Sequence, residues 1–351
     1  MKIETQLPLG NLDPGLRAAA TRLDLDRVGD EARLAEALGY DGIVCEETKD
    51  DPFIVLSLAA QATTRIGLAT GVAIAFPRAP AVTALAAWTL QRLSKGRFTL
   101  GLGSQVKGHI ERRFGMKWTP PGPWMRDYVG ALRAIWRCWQ EGGTKLDYQS
   151  EHYRLSLMVP LFAPPPIEHP DIPVQLAAVN PFMCQIAGEV ADGIRAHPVC
   201  TPRYIEEVML PAAQKGAAKT GRDFAKFEMA VMPLIATAPD KAGLDARVRD
   251  VRARVAFYAS TPTYLIAFES QGYGEVARSL QSYSRAQRWD EMPAFISDEM
   301  LDHYAVIGTY DEIAGKLDDR FGRVASHLEF AIPVAGEGDK SALRGLLARL
   351  R

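Results

Sequence analysis

A closed (β/α)8 barrel is the fold class that the sequence predicts, and three observations predict it. Eight short β-rich runs recur along the chain. Stretches with apolar residues at helical spacing stand between them. The runs are dominated by Ile, Val, Leu and Ala, the mark of a parallel sheet covered on its outside by helices. That number of units favours closure into a barrel over an open doubly wound sheet.

The first run is KIETQLP, residues 2–8. Leu25, Val28, Ala32, Ala35 and Leu38 then repeat at helical spacing, and Gly39 closes the helix. DGIVCEE (41–47) is the second strand, FIVLSLAAQATT the next helix, and RIGLATGVAIAF (65–76) the third strand. In PAVTALAAWTLQRLSKG, Val82, Leu85, Trp88 and Leu93 are expected near one helical face, with Gly96 as the left-handed cap. The fourth strand is RFTLGLG (97–103) and the fifth PVQLAAV (173–179), followed by DGIRAHPV (192–199), FEMAVMPLIATA (227–238) and HLEFAIPV (327–334).

The spacing is uneven, so a single domain over 1–351 is expected to carry insertions at about 105–170 and 240–325, after strands 4 and 7. In the first, Tyr128, Leu132, Ile135, Trp136 and Trp139 form one helical face, TKLDYQSEHYRLS alternates like a hairpin, and MVPLFAPPPIEHPDIP reads as a proline-rich surface loop. The second is read as helical and polar. Both would emerge at the C-terminal rim of the barrel, where this architecture carries its active sites.

A chain of 351 residues with 47% hydrophobic content can bury a large core. The net charge is −1 with both signs mixed along the chain, which points away from nucleic-acid or anionic-membrane partners. MKIETQLPLG lacks the apolar core of a signal peptide and no apolar run approaches a membrane span of roughly 20 residues, so a cytoplasmic protein is expected. The four cysteines form no C-x-x-C pair and the six histidines show no ligand spacing, so no metal is expected and the thiols read as buried and free. GRFTLGLGSQVKGHIERRFG (96–115) invites a phosphate-binding reading. However, Val106 stands where the third glycine of a dinucleotide fingerprint belongs, and His109 and Ile110 where a P-loop needs Lys and Ser/Thr.

EALGYDGIVCEETKDDPF, RIGLATGVAIAFPRAP, LSKGRFTLGLGS, ERRFG, PVQLAAVNP and AGEVADGI, in this order over residues 25–200, together resemble the bacterial luciferase-like superfamily of flavin- and deazaflavin F420-dependent oxidoreductases. The resemblance implies the same barrel with a flavin-like ring across its C-terminal mouth and a phosphate tail held by rim loops. It also implies catalytic positions at Glu47 and Thr48, where the family often shows an acid followed by a His; Thr48 departs from that pattern, and Glu46 reads as a rim or ion-pair residue. Thr70, Gly71 and Val72 match the turn that backs the ring, with a cis bond expected between Gly71 and Val72. A side chain added at Gly71 is expected to enter the space of the ring.

Gly103, Ser104 and Gln105, following Gly101, match the cofactor-facing end of strand 4, and Lys107, Arg112 and Arg113 offer positive charge near a tail or form an exposed helix start. Ala177 and Ala178 fit the segment lining the phosphate site, whereas Val179 and Asn180 replace its glycines; His197 lies at another tail-contact position.

The resemblance lies nearest the F420-dependent branch and implies hydride transfer between F420 and a small, apolar organic substrate. FMN, with monooxygenase chemistry, is the alternative cofactor. A non-catalytic flavin-binding protein and a hydrolytic barrel using Glu47 and Asp50 are further alternatives. Trp118, Trp124, Tyr128, Tyr258 and Tyr264 are read as pocket wall or core. A homodimer or larger homo-oligomer is expected, through helices of the first half of the barrel.

Overall fold

The computed structural model describes residues 1–10, 23–143 and 145–351. Eight parallel strands close into a barrel: β1 Lys2–Gln6, β2 Gly42–Cys45, β3 Gly67–Thr70, β4 Phe98–Gly103, β5 Val174–Ala178, β6 Gly193–Ala196, β7 Glu228–Val231 and β8 His327–Glu329. Each pairs with its neighbour in sequence, and β8 pairs with β1 through Lys2↔His327 and Glu4↔Glu329. All eight expected strands are therefore barrel staves.

Helices cover the outside for local reasons visible in the sequence. Val28–Leu38 buries Val28, Ala32, Ala35 and Leu38, and Gly39 ends it at φ 106°, a conformation that glycine adopts without a Cβ clash. Asp51 caps Pro52–Ala62 by accepting from Phe53 and Ile54 N–H. Pro121–Gln140 buries the expected stripe of Tyr128, Leu132, Ile135, Trp136 and Trp139. The apolar residues on the outer faces of the strands pack against these helices in one continuous core.

Two expectations are corrected. In helix Pro80–Ser94, Val82, Leu85 and Leu93 are exposed and only Trp88 of the expected four is buried, because Thr83, Ala84, Ala87, Trp88, Leu90 and Gln91 make the buried face. The seventh run is two strands: beyond Val231, Leu234–Ala238 leaves the barrel and pairs in parallel with Ala305–Thr309, a strand inside the stretch read as helical. Of the two readings of Tyr128, pocket wall or core, the structure gives core: it is fully buried with its hydroxyl 2.6 Å from Thr83 Oγ1.

The longest connections follow β4 and β7. The first carries helix Pro121–Gln140 and the antiparallel pair Tyr148–Gln149 with Arg154–Leu155; residue 144, where the expected hairpin begins, lies outside the described residues. The second holds helices Lys241–Ala259, Gly274–Arg285, Asp298–Tyr304 and Ile313–Phe321. Cys138, Cys184 and Cys200 are buried and Cys45 half-buried, all free. No helix among the described residues is long and apolar enough to cross a membrane.

Candidate active site at the barrel mouth

Parallel pairing brings the C-terminal ends of all eight strands to one face, so residues far apart in sequence ring a single mouth. On the β3–β5 side this ring is built from small residues. Beyond Thr70 the chain steps out of regular β3 through a cis Gly71–Val72 bond, as expected, and resumes pairing with β4 at Ala73↔Leu102 and Ile74↔Gly103. Thr70 Oγ1 fixes the step by donating to Gly101 O at 2.7 Å and accepting from Gly101 N–H at 2.9 Å.

The glycines make this close approach feasible. A Cβ at Gly101 would lie 1.9 Å from Thr70 O, and one at Gly103 would lie 2.6 Å from Val72 Cγ2. At Gly71 the added atom would meet Val44 Cγ1 at 2.1 Å, so a side chain there collides with β2 inside the barrel. Val72 is half-buried, lying over Gly103 beside Ala177.

Glu47 locks the step from the β2 side. Its Oε2 accepts from Ile74 N–H at 2.7 Å and from Arg78 Nη1 at 2.5 Å, and Arg78 Nη2 also reaches Asp51 at 2.9 Å. Thr48 is exposed, its carbonyl accepting from Arg113 at 3.5 Å.

The remaining expected residues lie around the rim. Ser104 donates to Gln105 O at 3.2 Å, and Gln105, at φ 57°, accepts from Val106 N–H at 2.9 Å. Lys107 opens the short exposed helix Lys107–Arg112 and pairs with Glu111. Ala177 and Ala178 end β5, Val179 O accepts from the Tyr204 hydroxyl at 2.9 Å, and Asn180 Oδ1 caps helix Pro181–Val190 through Met183 N–H. His197 follows β6 with its ring 4.0 Å from Tyr264 and 4.7 Å from Tyr258, both from the long connection after Leu234–Ala238. Burial among these rings lowers its pKa to about 3, so it is neutral.

Sequence reasoning missed the polar interior opposite the glycines. Arg195 of β6 grips Glu4 of β1 at two points, 2.9 and 3.1 Å. Burial alone would raise the Glu4 carboxyl, but the Arg195 guanidinium holds it below the usual carboxylate range. Deeper, Gln175 donates to Glu228 at 2.7 Å, and His327 lies 4.0 Å from Glu228. Nearer the mouth, Gln6 Nε2 donates to Glu46 Oε1 at 3.0 Å. Glu329, in register with Glu4, is pushed up to about 8 by burial and by the charges of Glu46 and Glu4, against the pull of Arg195 and a hydrogen bond from Gln6. The available signal was alternation: Lys2, Glu4 and Gln6 on β1, and His327 and Glu329 on β8, occupy every second position.

This architecture is shared with known proteins. A family model described as luciferase-like monooxygenase matches residues 7–327. An uncharacterized protein of Mycobacterium tuberculosis is 43% identical over 309 residues, covering 86% of this chain and 91% of that one. The 5,10-methylenetetrahydromethanopterin reductase of Archaeoglobus fulgidus is 26% identical, covering 88% and 90%. Among solved structures, the coenzyme F420 dependent tetrahydromethanopterin reductase from Methanopyrus kandleri superposes with a TM-score of 0.75 at 20% identity, covering 99% of this chain and 97% of that one. A riboflavin lyase with modified FMN shares the fold at a TM-score of 0.69 and 15% identity, covering 99% and 90%. The match over residues 7–327, on a closed parallel barrel, makes the chain a member of the luciferase-like monooxygenase family of oxidoreductases.

Proposed function

We propose that this chain transfers a hydride between deazaflavin F420 and a small, mainly apolar organic substrate at the barrel mouth. The observation that carries the reading is the stepped end of β3, clamped by Thr70 to Gly101 and by Glu47 to Ile74, above a floor of Gly103 and Ala177. Seated on Gly103 and Ala177, Val72 gives the mouth a rigid apolar edge that fits one face of a planar tricyclic ring. Thr70, Gly71 and Val72 would support the ring, while Ser104, Gln105, Ala178, Val179, Asn180 and His197 line the rim toward its tail. Neutral His197 offers such a tail a hydrogen bond and not a charge. Lys107 and Arg113, both on the exposed rim, provide the positive charge.

Bound there, the deazaflavin supplies a two-electron hydride acceptor or donor. The chain's own task is to orient the substrate and to handle the proton that accompanies the hydride. Glu47, with Oε2 engaged by Ile74 and Arg78, is suited to holding the turn. Glu46, half-buried at the end of β2 and bonded to Gln6, is the carboxylate proposed to exchange the proton. Tyr258 and Tyr264 give the substrate side an aromatic wall. A homodimer through helices Pro52–Ala62 and Pro80–Ser94 completes the reading.

Absorbance titration with F420 and with FMN, followed by reductive and oxidative half-reactions, tests it. Saturable F420 binding and turnover without oxygen consumption are expected. FMN binding with oxygen-dependent turnover would transfer the assignment to a monooxygenase.

A further inference from the structure

We propose that Glu329 is a positioning residue for the proton chemistry of the mouth, acting through Gln6 on Glu46. This rests on the F420 oxidoreductase reading only for its kinetic consequence; the linkage itself belongs to the free protein. Glu329 closes β8, the strand beside β1, and Glu46 follows β2 on the other side of β1, so Gln6 at the end of β1 stands between the two carboxyls. Its amide nitrogen donates to Glu46 at 3.0 Å, and Glu329, in register with Glu4 on the neighbouring strand, lies to its other side.

The groups facing Glu329 come from every neighbouring strand. Glu4 and Gln6 lie on β1, Glu46 follows β2, Arg195 lies on β6, Met232 follows β7 with its sulfur 3.8 Å from Gln6 Nε2, and His327 shares β8. The two-point grip of Arg195 is spent on Glu4. Among the described residues, its Nε is buried and makes no hydrogen bond, so this cation has no further bond directed at Glu329. Carboxyls gathered in this half-buried floor repel, and the desolvation of Glu329 keeps the proton on it. Glu329 accordingly remains a neutral acid at neutral pH, with a value near 8. Its ionisation above that value would place a second negative charge behind Glu46 and make Glu46 hold a proton more tightly. Net proton exchange with the substrate occurs at Glu46, and Glu329 changes no bond to the substrate.

The test uses the cofactor-free protein. Infrared spectra titrated across about pH 6–10 should show a protonated-carboxyl band disappearing with a midpoint near 8. Glu329→Gln should abolish that band. Glu46→Gln, which removes the neighbouring charge and leaves Glu329 in place, should move the midpoint down by about 1 unit. A merely structural Glu329 would give no such shift. In turnover with F420, wild-type kcat should change across pH 8 and the Glu329→Gln profile should lack that limb. Absence of a carboxyl titrating near 8, or an unmoved midpoint in Glu46→Gln, overturns the proposal even if F420 binds. Failure of F420 binding overturns the functional reading alone.

Discussion

Glu47 holds Ile74 by its backbone N–H at 2.7 Å, tying the end of β2 to the point where β3 resumes after its step. The same oxygen takes Arg78, whose guanidinium also lies over the Phe53 ring at 5.7 Å. One oxygen of the acid singled out from sequence for proton transfer is thus engaged in shaping the mouth.

Glu47→Ala is expected to strip Ile74 N–H and Arg78 of their shared acceptor, costing about 1–3 kcal/mol of stability. Because the released segment is the proposed ring support, F420 affinity should fall about 10-fold or more, the equivalent of about 1.4 kcal/mol. Glu47→Gln, which keeps an oxygen for Ile74 and loses the ion pair, should fall between. Thermal melts and F420 titration check both variants; a turnover loss in Glu47→Gln with affinity and melting unchanged would return Glu47 to proton handling.

The two β4 glycines should differ in sensitivity. Gly101→Ala places a carbon 1.9 Å from the Thr70 carbonyl, a backbone atom locked by its own side chain to the same strand. Gly103→Ala meets only the Val72 side chain, at 2.6 Å, which can rotate away. Gly101→Ala should cost at least about 3 kcal/mol and Gly103→Ala about 1–2 kcal/mol. Denaturant melts give the ordering, and equal losses would mean that the step in β3 moves freely.

The staves were legible because each buries an apolar outer face against a helix, and that pattern survives in single runs such as RIGLAT. The second strand after β7 was not, since FEMAVMPLIATA is apolar across the point where Met232 and Pro233 leave the barrel. Ala305–Thr309 was hidden by its brevity within polar helices. The rim residues were readable through the family resemblance. Glu4, Arg195 and Glu329 were not, because a polar residue on every second position of a strand reads as solvent-facing until barrel closure turns that face inward. That a Cβ at Gly71 faces Val44 is likewise revealed only by the fold.

Association is expected to use the apolar outer face of helices Pro52–Ala62 and Pro80–Ser94, which pack side by side. Ile54 is 61% exposed and Val82 59%, with Leu58 and Leu85 one turn on from each. Four large apolar side chains on adjacent helices form the kind of patch that a partner surface covers. Light scattering at micromolar concentration should give a dimer mass, and Ile54→Glu with Val82→Glu should give a monomer. A monomeric wild type removes this interface.

Stability should depend on pH through Glu329 in a direction opposite to most carboxylates. Its folded value near 8 stands above the ordinary 4.5, so the native state holds a proton that the unfolded chain releases. Below about pH 4.5 both states are protonated and the stability is fully present; it is lost as pH rises toward 8, where the folded carboxyl also ionises. Glu329→Gln removes the ionisable group and keeps a polar side chain of similar shape. The variant should match wild type at about pH 4.5 and exceed it increasingly up to about pH 8, by about 1–3 kcal/mol after allowance for partial solvent access. Melting temperatures across that range decide the matter: a constant offset between the two proteins would indicate lost packing, whereas a gap that opens with rising pH identifies the buried proton.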